Sequence, residues 1–182
     1  MDTLSFLRLI WPDQGIYLLA EPKSFVKDGQ SVPYFDHYAY SSIEAAAQAA
    51  IAMSSSGTTV FFAMASVVND YTRMNKQQRE DAGVKVRGVH KSGNDNTCAV
   101  KSFWLDLDVG ADPKKYASQS EASEALRAFC GAMSLPRPYV VSSGGGLHVY
   151  WPLSSSVDSE TWGSHGAILK ALAASYGLRA DP

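Results

Sequence analysis

Phe103-Trp104-Leu105-Asp106-Leu107-Asp108-Val109 alternates apolar and polar residues as a β-strand does. Side chains on a strand alternate faces, so Phe103, Leu105, Leu107 and Val109 share the core face and Trp104, Asp106 and Asp108 share the other. Two carboxylates on adjacent same-face positions repel one another. Setting them beside an apolar run is costly unless a cation neutralises them. Hard divalent ions such as Mg²⁺ or Mn²⁺ take oxygen ligands of this kind. The same pair on a solvent-facing strand would only mark its wet side, and a lone D-x-D is common.

A second stretch, Ser142-Ser143-Gly144-Gly145-Gly146-Leu147-His148-Val149-Tyr150-Trp151, joins two strand-like runs through a glycine triplet. Glycines let a backbone approach a ligand closely and adopt positive φ, and successive N–H groups can form an anion-binding concavity. On the strand that follows, Leu147, Val149 and Trp151 fit the core, while His148 and Tyr150 point to the open side. Without a ligand the triplet would be a glycine-rich hairpin turn and His148 an incidental edge residue.

Working outward, Val100 to Val109 is one strand and Ser118 with Glu121 opens a helix by a capping box. Ala122, Ala125, Leu126, Phe129 and Met133 form that helix's core stripe. Leu135-Pro136-Arg137-Pro138 ends it, strands at 139–142 and 147–153 follow, and a last helix from Asp158 or Ser159 runs to about Tyr176, stopped by Gly177. Upstream the order is strand, turn, strand, helix, strand. Gly15 to Ala20 is the first strand, Lys27-Asp28-Gly29-Gln30 the turn, and Tyr34 to Tyr40 the second strand. Ser41 caps a helix with Glu44 that runs to about Met53, and Thr58 to Met64 is a buried strand. Residues 69–97 form a polar, partly helical excursion. The expected class is α+β.

The chain has 182 residues, 46% hydrophobic and 19% charged, with a formal net charge of -2, the profile of one ordinary globular domain. Arg73, Lys76, Arg79, Lys85, Arg87 and Lys91 nonetheless form a basic stripe able to bind a polyanion through its phosphates, with Tyr71 and His90 as candidate stacking groups. Solvation of a surface loop would explain the same charges. Cys98 and Cys130 form no C-x-x-C pair, which argues against a zinc site and for free thiols in a reducing compartment. The N-terminus lacks the features of a signal peptide and no apolar run suits a membrane span, so a cytoplasmic protein with no membrane association is expected.

The two stretches W-L-D-L-D-V-G and S-S-G-G-G-L-H-V-Y-W-P-L resemble the first two motifs of the archaeo-eukaryotic primase superfamily, which includes phage- and plasmid-encoded primase-polymerases. The resemblance runs from about Val100 onward. It implies a metal-dependent DNA primase or polymerase acting on a single-stranded or primed DNA template, with nucleoside triphosphates as substrates and two Mg²⁺ or Mn²⁺ ions. It further implies that Asp106 and Asp108 bind metal and that Ser143, Gly144, Gly145, Gly146 and His148 contact the nucleotide. Asp181 stands where the family carries a third acid, as metal ligand and catalytic residue; a frayed terminal position is the alternative for it. Relatives often place a basic or polar residue within the Ser/Gly turn, so phosphate contact here would rest more on backbone.

The implied fold is an N-terminal β-α-β module (1–98, with the basic excursion 71–97) packed on an RRM-like mixed sheet (99–182). Because relatives usually continue with another strand and an Arg-rich segment, a catalytic core truncated at its C-terminus, or an unusually short member, is expected, with a helicase domain or partner elsewhere. Two other functions compete: a non-catalytic nucleic-acid or nucleotide-binding replication module, and a metal-dependent nuclease.

Overall fold

The computed structural model describes residues 1–81, 83 and 96–181, with only the backbone of Lys76 and Arg79 among them. The chain is α+β and divides into two compact units. One comprises Met1–Lys101 with Ser155–Ser159, the other Ser102–Ser154 with Glu160–Pro182.

The first unit begins with a helix, α1 (Thr3–Ile10), that the sequence reading did not anticipate. Asp2 caps it, its carboxylate accepting from the Ser5 amide at 2.9 Å, and Leu7 and Ile10 turn inward at helical spacing. Two long strands, β1 (Tyr17–Lys27) and β2 (Gln30–Tyr40), pair antiparallel from Tyr17↔Tyr40 to Lys27↔Gln30. Asp28 and Gly29, at φ 51° and 77°, make the two-residue turn, which matches the twist of the flanking strands when both residues take positive φ.

Helix α2 (Ile43–Ser55) is capped by Ser42, which accepts from the Ala45 amide, rather than by the expected Ser41–Glu44 box. Glu44 instead pairs with Arg8 at 2.8 Å. The single buried strand expected over Thr58–Met64 is also corrected. Only β3 (Phe61–Phe62) forms there, with Phe61 49% exposed, and the chain breaks before β4 (Ala65–Val67). β3 completes a sheet of order β2-β1-β3, and β4 pairs with the start of β5 (Thr97–Asp108). Up to β4 the N-terminal part is thus α-β-β-α-β-β rather than β-α-β. Trp11, stacked on Tyr17 at 4.9 Å and donating to the Ala63 carbonyl, anchors its core. Helix α3 (Lys76–Asp81) supplies the helical part of the excursion, of which residues 82 and 84–95 lie outside the described residues.

In the second unit the remainder of β5, then α4 (Gln119–Ala132), β6 (Tyr139–Ser142), β7 (Gly146–Val157) and α5 (Ser159–Tyr176) follow in order. Ser118 caps α4 as expected, and Glu121 returns to the Ala117 amide at 2.8 Å. The strand order is β5-β7-β6, with β6 and β7 antiparallel from Tyr139↔Tyr150 to Ser142↔Leu147. The mixed sheet expected from sequence is not what forms: the strand pairs β1–β2, β1–β3, β4–β5 and β6–β7 are all antiparallel.

Leu105 and Leu107 from β5 and Leu147, Val149 and Trp151 from β7 pack on Leu126 and Phe129 of α4 and Leu169 and Ala173 of α5. Each large side chain removed from water contributes about 1.5–3 kcal/mol, which fixes the register: a one-residue slip would expose the whole set. The opposite face is therefore where Trp104, Asp106 and Asp108 must emerge. Cys98 and Cys130 are both free thiols. Among the described residues no helix is long and apolar enough to cross a membrane.

Candidate active site

Asp106 and Asp108 lie on the same face of β5 as their alternation requires, with side chains 45% and 44% exposed. Beside Asp106 the chain returns after α5, and Asp181 forms a reciprocal antiparallel bridge with it. The Asp106 amide donates to the Asp181 carbonyl and the Asp181 amide to the Asp106 carbonyl, both at 2.8 Å. On the neighbouring strand β7, His148 places Nε2 3.8 Å from Asp106 Oδ1. These four residues, singled out from three separate parts of the sequence, are thus brought to one surface of the second unit.

The electrostatics of that surface are those of crowded negative charge. Partial burial pushes the Asp106 carboxyl above the usual carboxylate range. The charges of Asp108 and Asp181 push the same way, against the attraction of His148 and Lys115. Tyr150, one pleat beyond His148 and buried, has its phenol pushed up to about 12 by burial and then by the charge of Asp106. The sequence put Tyr150 on the open side with His148; it is on that side of the strand but closed from solvent.

Asp108 has a partner the sequence reading missed. The loop after β5 closes on itself: the Tyr116 amide donates to the Asp108 carbonyl at 2.9 Å and the Gly110 amide to the Tyr116 carbonyl at 3.0 Å. This returns Lys115, whose Nζ lies 2.8 Å from Asp108 Oδ2 and whose ammonium pKa is raised by that bond. Arg179, two residues before Asp181, stacks over the Tyr116 ring at 5.0 Å and donates to the Lys115 carbonyl at 2.6 Å. No local pattern in the sequence marks Lys115 or Arg179; Tyr150 was findable from its place two residues after His148. A cleft of about 500 Å³ lies among Asp106, Asp108, Lys115, Arg179 and Asp181.

The glycine turn has structural duties of its own. Gly144 holds φ at +85° in the β6–β7 connection, and the Ser143 amide donates to the Gly146 carbonyl at 3.1 Å. Gly145 accepts from the Val109 amide at 2.8 Å. A Cβ on Gly146 would come within 2.5 Å of the Leu107 carbonyl oxygen, so this glycine lets β7 approach β5 directly behind the acids. Ser143, Gly144 and Gly145 are exposed at the end of the hairpin.

Among the described residues no group of three or more His, Cys, Asp or Glu side chains is placed so as to hold a metal ion. Of the basic stripe, Arg73 is exposed in the first unit and the backbone of Lys76 and Arg79 lies on α3. Lys85, Arg87 and Lys91, and His90 with them, lie outside the described residues. No family model matches this chain, and no curated protein or solved structure is significantly similar to it.

Proposed function

We propose that the chain is a primase-polymerase core that joins nucleoside triphosphates by metal-dependent nucleotidyl transfer on a single-stranded or primed DNA template. The observation that carries this reading is the reciprocal backbone pairing of Asp181 with Asp106, which adds a third carboxylate to the two on β5. A fold that gathers half-exposed, mutually repelling acids gives up stability, and such a cost is characteristic of functional sites. The strand order is in keeping with such a core: β5-β7-β6 with α4 and α5 packed on one face, and Asp181 bridging β5 further along the strand from its pairing with β4.

The donor set fits hard divalent ions in kind. Asp106, Asp108 and Asp181 offer only oxygen and are open to solvent, provided that Asp108 releases Lys115. Mg²⁺ or Mn²⁺ held there would activate the attacking hydroxyl and neutralise charge on the α-phosphate and the departing pyrophosphate. The chain's own residues do the rest. The Asp106–Asp181 bridge holds two carboxylates on one backbone frame. His148 reaches the same surface from β7 and can donate to a phosphate oxygen. The exposed Ser143–Gly145 turn offers its backbone to the triphosphate. Arg73, Lys76, Arg79, Lys85, Arg87 and Lys91 are the proposed template contacts, made through phosphates and so without base preference. A helicase domain or partner would supply strand opening.

Incorporation of labelled nucleotides on primed and unprimed single strands, with Mn²⁺ or Mg²⁺, tests the reading. The Asp106→Ala, Asp108→Ala double variant, still folded by circular dichroism, is expected to lose incorporation; full activity in it refutes the assignment. The Lys115–Asp108 pair favours a second reading, because an internal cation on a metal-ligand candidate suits a nucleotide-binding module without turnover. That module would bind nucleotide and single strands but incorporate nothing. Shortening of a labelled strand with metal and no nucleotide would indicate a nuclease instead.

A further inference from the structure

We propose that Lys115 is a triphosphate-binding residue that rests on Asp108 and transfers to the phosphates when a divalent cation takes its place; the inference rests on the metal-dependent reading above. The cleft carries both signs of charge, acids at Asp106, Asp108, Asp112 and Asp181 and cations at Lys114, Lys115 and Arg179. That is the division a cation–triphosphate complex needs, carboxylates for the ion and ammonium or guanidinium groups for the phosphates.

Lys115 is built to move at its tip and not at its base. Its backbone is fixed by three bonds: its amide donates to the Asp112 carbonyl at 2.9 Å, its carbonyl accepts from Arg179 at 2.6 Å, and the next amide donates to the Asp108 carbonyl at 2.9 Å. Arg179 is held in turn by its own amide on the Tyr116 hydroxyl at 3.0 Å. The Lys115 side chain, by contrast, is 39% exposed and, among the described residues, ends in a single ion pair. Exposed pairs of this sort contribute little net stability and exchange readily. A divalent ion on the Asp108 carboxylate neutralises the charge that holds Lys115 and repels its ammonium. Lys115 therefore gives way, and its flexible stem leaves its charge at the rim of the cleft, where a triphosphate adds negative charge. Lysine suits this role as a compact point charge on a flexible four-carbon stem.

Wild type and the variants Lys115→Gln, Lys115→Arg, Asp106→Asn and Asp108→Asn are titrated first with Mn²⁺, followed by the free-ion electron paramagnetic resonance signal. They are then titrated with a non-hydrolysable nucleoside triphosphate in saturating Mn²⁺, by calorimetry. Lys115→Gln is expected to bind Mn²⁺ alone more tightly than wild type, because a competing cation is gone. It should bind the triphosphate roughly tenfold or more weakly, the effect of losing one charge-assisted contact, and Lys115→Arg should restore most of that affinity. Triphosphate affinity in Lys115→Gln equal to wild type overturns the proposal while leaving the metal reading standing, provided that Asp108→Asn still loses Mn²⁺. Mn²⁺ binding unaffected by both Asp106→Asn and Asp108→Asn overturns the metal reading, and this inference with it.

Discussion

Alanine at each of the three consecutive glycines should give three different results. Gly146 has ordinary φ, so alanine there would gain about 0.4–1 kcal/mol by restricting the unfolded chain. Against this, its Cβ would sit 2.5 Å from the Leu107 carbonyl oxygen and 3.2 Å from Asp108 Cα, both backbone atoms that cannot rotate aside. β7 would have to move off β5, straining the Gly145–Val109 hydrogen bond of 2.8 Å in the process. Overpacking of this kind costs about 1–3 kcal/mol or more, so a net loss of roughly 2 kcal/mol is expected for Gly146→Ala. Gly144 has open space around it but φ at +85°, and Gly144→Ala should lose about 1 kcal/mol to backbone strain alone. Gly145 has neither constraint, and Gly145→Ala should be neutral or gain a few tenths of a kcal/mol. Urea unfolding followed by tryptophan fluorescence, at unchanged m, measures all three. Gly146→Ala within about 0.5 kcal/mol of wild type, an ordinary surface-substitution effect, would refute the close-approach argument, as would equal losses at 145 and 146. The same series tests the phosphate cradle: Gly145→Ala should keep its stability and lose triphosphate affinity.

Three further outcomes follow from the same geometry. Asp106→Asn keeps the backbone bridge to Asp181 but removes a charge whose proton the folded state holds more tightly than the unfolded one. A carboxyl with a raised folded pKa weakens the fold above that pKa, and the penalty fades as pH falls toward the unfolded value; the variant should therefore melt above wild type at pH 7, with the gap closing toward pH 4. Trp162→Phe removes the indole donor to the Ser102 carbonyl, a 2.8 Å bond, and disturbs the stack with Trp104 at 4.7 Å; a loss of about 1–2 kcal/mol is expected in urea unfolding. Ser66 Oγ is buried with no hydrogen-bond partner among the described residues, so Ser66→Ala should be neutral or stabilising by up to about 1 kcal/mol, whereas a loss above that would mean the hydroxyl has a partner.

Much of the second unit was legible because its signals are local. The alternation along residues 103–109, the Ser118 cap and the Ala122–Met133 stripe each depend on residues within a turn or a pleat of one another, as does the Asp28-Gly29 turn of the first unit. Where the signal was ambiguous even locally, the reading slipped: Ser41 and Ser42 are adjacent cap candidates, and only the direction of the Ala45 amide selects the second. The break between β3 and β4 was invisible because Thr58–Met64 is an unbroken run of β-branched, aromatic and apolar residues, and nothing in that pattern says where the strand ends. Helix α1 carries local signals of the same kind, an Asp2 cap with Leu7 and Ile10 at helical spacing, but over only 8 residues.

The sequence by itself determined that Asp106 and Asp108 leave β5 on one face, since a strand's period of two allows nothing else. It did not determine what meets them there. That Asp181 returns to pair with Asp106, that His148 stands 3.8 Å away, and that Lys115 already occupies Asp108 are consequences of where the chain re-enters after α5, β6 and the 109–116 loop. Charge neutralisation and edge pairing act between groups close in space, whatever their separation along the chain. Side-chain period is a property of neighbouring residues, but the company a charged group keeps is decided only when the core has packed.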